Sequence, residues 1–425
     1  MAGENAKKII ANTLWIGFDK VLHLFGGLLV GVLIARHLGP DNFGLLNYAL
    51  ALAGLFMVFA TLGLDAIAVR EIVKNKDDEN AILGTSLALR FFSSIFAYGC
   101  ILVYVFYFGE DDALSKTVVA VTSLLLIFQS FEVPKFWFEA TIQSKYIVAA
   151  KTVAFAIVTG VKLILLWLEA DLLAFAMVSV AEIALASLGV LAIYSFRRHS
   201  IRYWFFNRTT AYHLFKDSWP LIISGFAIMV YMKIDQIMLK EMLGNSEVGI
   251  YSAATRISEA WNFIPMAIAT SFFPGIIRSK EKEPSEYLRK LQWFYNLMTG
   301  IGLTIALPVA LFSGSIIGFL FGEDYLMAGK VLAVHIWTSI FYFQWVATGR
   351  WVIVENLQKL RLICTSFGCL LNVLVNFLLI PTYGALGAAI ATLVTQVFVT
   401  LIMPLGFGKL RLSSIMLLKS FVFKT

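Results

Sequence analysis

Runs of about 20 apolar residues, the length a helix needs to cross the hydrocarbon core of a bilayer, recur along almost the whole chain. They predict about twelve spans, over residues 12–35, 43–68, 82–108, 114–134, 146–168, 171–196, 218–240, 248–274, 291–320, 327–349, 360–380 and 384–408. Helices are the expected form, because lipid offers no partner to an unpaired backbone N–H or C=O. Hydrophobic residues make up 59% of the chain and charged residues only 14%, too little charge to coat a soluble domain. The formal net charge of +7 then reads as basic cytoplasmic loops; no motif for nucleic acid accompanies it. Cys100, Cys364 and Cys369 lie in apolar runs without metal-ligand spacing and read as small core residues, so neither a metal nor a cofactor is expected. The first apolar segment contains Asp19 and Lys20 and has no clear cleavage site, so it reads as a retained helix.

The turn between the first two spans runs Leu38-Gly39-Pro40-Asp41-Asn42-Phe43-Gly44, and its glycines permit tight backbone. The pattern returns 205 residues later, with Leu38-Gly39 mapping on Leu243-Gly244 and Gly44 on Gly249. The offset is close to half the chain and predicts two copies of one unit. The expected organisation is all-α and polytopic: a six-helix lobe over 1–196, a basic linker over 197–217, a second six-helix lobe over 218–408, and a basic amphipathic tail over 409–425. The linker, with its Tyr203-Trp204-Phe205-Phe206 cluster, reads as an interfacial segment on anionic lipid. Six spans is an even number, so the repeats are expected to be parallel, with a cleft between lobes suited to alternating access. Lys and Arg crowd one side of this topology and leave only Arg36, Lys116, Lys240 and Lys330 on the other, which predicts that both termini are cytoplasmic.

Further patterns extend along the chain: Gly63-Leu64-Asp65 with Val69-Arg70-Glu71, Asp235-Gln236-Ile237-Met238-Leu239, Val248-Gly249-Ile250-Tyr251, and Ile380-Pro381-Thr382-Tyr383-Gly384-Ala385-Leu386-Gly387-Ala388-Ala389. Taken in this order with the Gly-Pro turn, the chain resembles the Wzx-type O-antigen and polysaccharide flippases, in the superfamily that also holds the MATE drug exporters and the lipid II flippases. The resemblance implies a V-shaped, two-lobed transporter of the bacterial inner membrane. It implies a substrate too: a polyprenyl-pyrophosphate-linked oligosaccharide moved to the outer face. The polymerase that consumes the repeat unit is then an expected partner, beside the membrane lipids.

Ionisable residues inside spans usually face a cavity or a partner. Here they are Asp19, Lys20, Arg90, Lys151, Lys162, Glu182, Lys233, Asp235, Arg256 and Glu259, with His23 and His335. Lys20, Arg90, Lys151, Lys162, Lys233 and Arg256 are the candidate substrate-binding cations, since their excess over the four carboxylates suits a pyrophosphate. Asp19 is the candidate for ion coupling. Each also has a plainer reading: Lys151 and Lys162 snorkel to opposite interfaces, Arg256 pairs with Glu259 at i,i+3, and Asp65 pairs with Arg70. Three functions compete: a flippase for a lipid-linked oligosaccharide, a cation-coupled drug exporter of the same superfamily, and a membrane polysaccharide polymerase or ligase. The cationic balance opposes the second. Short external connections oppose the third, no catalytic residue is nominated, and the expectation is that the chain is not an enzyme. Neither the sugar nor the coupling ion is legible.

Overall fold

The structure is a computed structural model. Its backbone is described for residues 2–109, 112–197 and 200–423; side chains are described from His23 on, apart from residues 76, 108, 274, 278, 281, 282, 284 and 285 and those outside the backbone ranges. Among the described residues every element is helical and none is a strand. Among the described residues nine helices are long and apolar enough to span a bilayer, and a bent pair, Glu323–His335 with Thr338–Val354, brings the number to ten. Two of the nine are of double length, His23–Lys74 with 52 residues and Gln358–Leu405 with 48. At about 1.5 Å per residue either would measure more than twice the ~30 Å hydrocarbon core if straight. Neither is straight: in the first the backbone leaves the helical region at Gly39 and again at Leu62 and Gly63, and in the second at Gly384.

The chain divides into two compact units. One comprises residues 1–38 and 45–233, the other residues 39–44 and 234–425. The helix Arg208–Leu243 runs through the division, and the short Gly39–Gly44 turn belongs with the second unit although its sequence lies in the first half.

The first unit closes around Ala68, Ile72, Leu83, Val133, Phe136, Phe138, Val190 and Tyr194, all buried. The segment after the sixth expected span is tied into it. The backbone N–H of Asn207 donates to Thr85 Oγ1, and Trp204 Nε1 donates to Tyr194 Oη. A Cβ at Gly84 would run into the backbone of Phe205, so only glycine admits that segment. Tyr203, Phe205 and Phe206 keep exposed rings beside this anchor.

One core of the second unit gathers Phe294, Tyr295, Met298, Phe343, Ala347, Trp351 and Leu417. The tail helix Gly408–Ser420 packs into it through Leu410, Ser413, Met416 and Leu417. Its polar side is also enclosed: Thr299 Oγ1 meets Ser420 Oγ at 2.7 Å, and Gln292 Nε2 donates to the Met416 carbonyl at 2.9 Å. The tail is thus half structural core, because its serines find partners inside the bundle.

The internal repeat is physical as well as textual. Gly39 (φ 70, ψ 172) and Gly244 (φ 98, ψ −175) share a backbone conformation that side chains other than hydrogen essentially forbid. Their neighbours contact one another reciprocally. A Cβ on Gly44 would strike the carbonyl of Asn245, and a Cβ on Gly249 would strike the carbonyl of Pro40. Pro40 and Asn245, like Gly44 and Gly249, are 205 apart, so one contact is the image of the other under the repeat. Two glycines let the helix that follows each turn approach the other turn at backbone distance. We therefore expect Gly44→Ala and Gly249→Ala each to destabilise the chain by about 1–3 kcal/mol through overpacking. Thermal unfolding in detergent checks this, with the exposed-space control Gly99→Ala near neutral; unchanged melting of both variants would deny the close crossing.

Candidate functional site

Ionisable side chains inside the first unit form a chain of ion pairs. Asp65 follows Gly63, whose left-handed backbone starts the helix Leu64–Lys74. Its carboxylate meets Lys135 Nζ at 2.5 Å, and Lys135 also reaches Glu132 at 3.0 Å. Glu132 holds Lys151 at 2.5 Å and accepts from Gln129 Nε2 at 2.6 Å. The expected pairing of Asp65 with Arg70 does not form; Arg70 instead binds Glu71 and Asp217. Asp65 is carried past Arg70 because the short helix Lys135–Ala140 packs against its own helix and delivers Lys135 there. Lys135 lies outside the spans. Burial works against its charge, but Glu132 and Asp65 outweigh that and raise its pKa.

Arg90 sits beneath this network, fully buried, with its guanidinium 5.4 Å from the centre of the Phe136 ring. Asp65 and Glu132 supply the opposite charge around it, yet none of its three guanidinium nitrogens has a hydrogen-bond partner. Glu139 lies within electrostatic reach of Lys135, Lys151, Asp65 and Glu132, so Arg90, Lys135 and Lys151 face three carboxylates, Asp65, Glu132 and Glu139.

The remaining candidates are dispersed. Lys162 binds Glu182 at 2.7 Å between the helices Lys145–Trp167 and Leu172–Phe196, so it is neutralised locally, and Lys151 and Lys162 answer to different carboxylates although they share a helix face. Lys233 is half-buried and makes no ion pair among the described residues. Arg256 lies in the second unit, 5.2 Å over the ring of Phe43, facing the charge of Glu259; its Nη1 has no hydrogen-bond partner. The side chains of Asp19 and Lys20 lie outside the described residues.

Two further groups were given no site role in the sequence, although Asp235 stands among its ionisable residues inside spans. Asp235 is fully enclosed by neutral donors: Tyr251 Oη and Thr392 Oγ1 each at 2.7 Å, and Asn376 Nδ2 at 2.5 Å. Spacing gave no sign of it, since its partners come from residues 16 to 157 positions away. Arg361, at the start of the helix Gln358–Val397, lies over the Trp345 ring at 4.0 Å. It reads in sequence as one more loop cation next to Lys359. Arg90, Arg256 and Arg361 thus share one arrangement: an aromatic face on one side and at least one N–H nitrogen without a partner.

Chemically these are anion-binding donors rather than a catalytic assembly. Among the described residues no three His, Cys, Asp or Glu side chains gather to hold a metal. Ser258 and His335 do meet at 2.7 Å, but both are buried in packing and the Ser258 hydroxyl also bonds the Thr255 carbonyl.

Comparison with known proteins adds three findings. Residues 9–280 match the family described as polysaccharide biosynthesis protein. A Shigella flexneri protein named an O-antigen transporter is 24% identical over 90% of this chain and 94% of its own. Among solved structures, the lipid II flippase MurJ in an inward closed conformation aligns with a TM-score of 0.72 at 15% identity, covering 97% of this chain and 91% of that one. An inward-facing multidrug resistance MATE transporter aligns at 0.67 and 14%, covering 92% and 95%. At these identities the two structures speak for the fold alone.

The ionic chain makes a stability prediction. Glu132→Gln strips the shared partner from Lys135 and Lys151 and should destabilise the first unit by about 1–3 kcal/mol, below a fully buried pair because Lys151 is 36% exposed. Unfolding midpoints of Glu132→Gln and of Lys162→Met would be compared in the same detergent. A silent Glu132→Gln would mean the network contributes nothing.

Proposed function

This chain belongs to the polysaccharide biosynthesis protein family, and from that membership we propose that it is a flippase for a lipid-linked oligosaccharide, a transporter and not an enzyme. The proposed cargo is a polyprenyl-pyrophosphate-linked repeat unit of a surface polysaccharide such as O-antigen, carried from the cytoplasmic to the outer leaflet of a bacterial inner membrane by alternating access. A polysaccharide polymerase is the proposed downstream partner. The observation that most supports this reading is the set of arginines with unpartnered N–H groups within spans, in a chain whose family handles polysaccharide. A pyrophosphate crossing about 30 Å of hydrocarbon must exchange its hydration for fixed donors. Lys20, Arg90 and Lys151 are proposed to receive it from the cytoplasm, and Lys162, Lys233 and Arg256 to hold it farther out. Lys151 and Lys162 would have to exchange their carboxylate partners for the substrate.

Ion coupling is proposed at Asp19, with Asp235 as the second carboxylate suited to it, being enclosed by neutral groups only. Twelve crossings, with both termini cytoplasmic, complete the proposal; it takes the double-length helices as reversing at Gly39 and Gly384. Cysteine labelling from outside should then reach a cysteine placed at Glu323 and not one placed at Arg202, and the converse result would invert the topology.

Export itself is tested by complementation of surface-polysaccharide display, with membrane abundance measured alongside. Arg90→Met removes the charge and retains much of the buried volume, while Arg90→Lys retains charge. We expect Arg90→Met and Arg256→Ala to lose export at normal abundance, Arg90→Lys to be milder, and Lys282→Ala, beyond the end of the span Asn245–Ile277, to be nearly silent. Normal export by Arg90→Met and Arg256→Ala would make these charges purely structural.

A further inference from the structure

The helix Arg208–Leu243 has 36 residues, about 54 Å at 1.5 Å per residue, so it overshoots the ~30 Å hydrocarbon core by about two dozen ångströms. Its stretch as far as Trp219 precedes Pro220, and that stretch is seated against the first unit together with the turn before it. The Asn207 backbone N–H bonds Thr85, the Phe205 backbone lies against Gly84, and Leu214 is buried with Leu64 and Ile67 beside Leu89. The span Glu79–Tyr107, which carries Gly84, Thr85 and Leu89, has 29 residues. At about 43 Å it overhangs the core by only about four residues at each end. Contacts five to ten residues inside that span therefore hold the seated stretch where hydrocarbon gives way to headgroups.

This stretch presents two sides. Leu214 and Ser218 are buried, whereas Arg208, Tyr212, Phe215 and Trp219 are exposed. Those four stand at i, i+4, i+7 and i+11, which on a helix of 3.6 residues per turn falls within a sector of about 60°. Lys216 flanks the sector, its Nζ 5.9 Å from the centre of the Tyr212 ring. Just ahead of the helix, Tyr203, Phe205 and Phe206 add exposed rings and Arg202 an exposed cation. The sole carboxylate between 200 and 219 is Asp217, which Arg70 already binds. Water alone would leave the rings without apolar contact, and hydrocarbon alone would strand the cations. Rings interleaved with cations at this depth match the boundary of an anionic leaflet, where the rings meet acyl chains and the cations meet phosphates.

We propose that residues 201–219 form a docking strap for anionic phospholipid, with Tyr212, Phe215 and Trp219 set against the acyl boundary and Arg202, Arg208 and Lys216 on the headgroups. The strap lies wholly in the first unit, uses none of the proposed transport cations, and does not rest on the transport reading.

The experiment uses the full chain with Cys100, Cys364 and Cys369 replaced by alanine, in nanodiscs of phosphatidylcholine with or without phosphatidylglycerol. A nitroxide spin label is attached to Tyr212→Cys, Phe215→Cys or His213→Cys, the last on the Asp217 side of the helix. With phosphatidylglycerol present, the labels at 212 and 215 should be open to oxygen and shielded from a water-soluble nickel chelate, and the label at 213 should be the more open to nickel. Omitting phosphatidylglycerol should raise nickel access at 212 and 215. Replacing Arg202, Arg208 and Lys216 together by glutamine should do the same in its presence, with docking weakened about five-fold for each basic residue removed. Arg208→Gln alone carries the comparison if the triple variant fails to fold. Equal nickel access at all three positions would put the stripe in water. Shielding that is the same with and without phosphatidylglycerol, or a phosphatidylglycerol effect that survives in the charge variants, would deny the recognition of anionic lipid. Any of these results overturns the proposal.

Discussion

Hydrocarbon gives a polar group nothing to bond with, and most of this structure answers that constraint. Every described element is helical because a helix satisfies its own backbone. Where helices break at Gly39, Gly244 and Gly384, the backbone lies in a region closed to other residues. The reciprocal crossing at Gly44 and Gly249 follows from the same economy of space, since backbone approach replaces side-chain packing. Charged side chains obey the constraint unevenly: Asp65, Glu132, Lys135 and Lys151 neutralise one another, while Arg90, Arg256 and Arg361 keep unpartnered nitrogens over aromatic rings.

That unevenness separates charges that have a carboxylate partner from guanidinium nitrogens that have no hydrogen-bond partner. A carboxylate shared by two lysines is most simply a fastening. A guanidinium laid on Phe136, Phe43 or Trp345 is held by a face that cannot accept its N–H groups strongly, and so remains a donor. The arrangement suits oxyanions, in keeping with a family concerned with polysaccharide biosynthesis. Asp235 is the reverse case, a buried carboxyl bonded only by neutral donors.

Much of the fold was legible in the sequence because apolar length and glycine turns are local signals. The 205-residue offset pointed to Gly39 and Gly244, and their matched backbone angles are its structural counterpart. The site was less legible, because pairing is decided between helices far apart in sequence. Asp65 has Arg70 nearby in the chain and binds Lys135. Lys162 is neutralised by Glu182, a partner that spacing along one helix could not reveal. Arg361 was hidden by position, since a cation at a span's end counts toward topology whether it faces solvent or an interior cavity. The tail read as basic and amphipathic, and its helix buries Leu410, Ser413, Ser414, Leu417 and Ser420 while Leu412 and Leu418 stay exposed; which bundle residues its serines would meet was not visible in the sequence.

The central claim is that this chain moves a pyrophosphate-linked glycan lipid between leaflets. Its most direct test is reconstitution of the purified chain into vesicles carrying a short polyprenyl-pyrophosphate oligosaccharide, with a lectin outside reporting glycan that was first inside. The account predicts protein-dependent appearance of the glycan at the outer surface, reduced strongly by Arg90→Met. No movement of the glycan lipid at full protein incorporation, with an organic cation such as ethidium expelled instead, would contradict it.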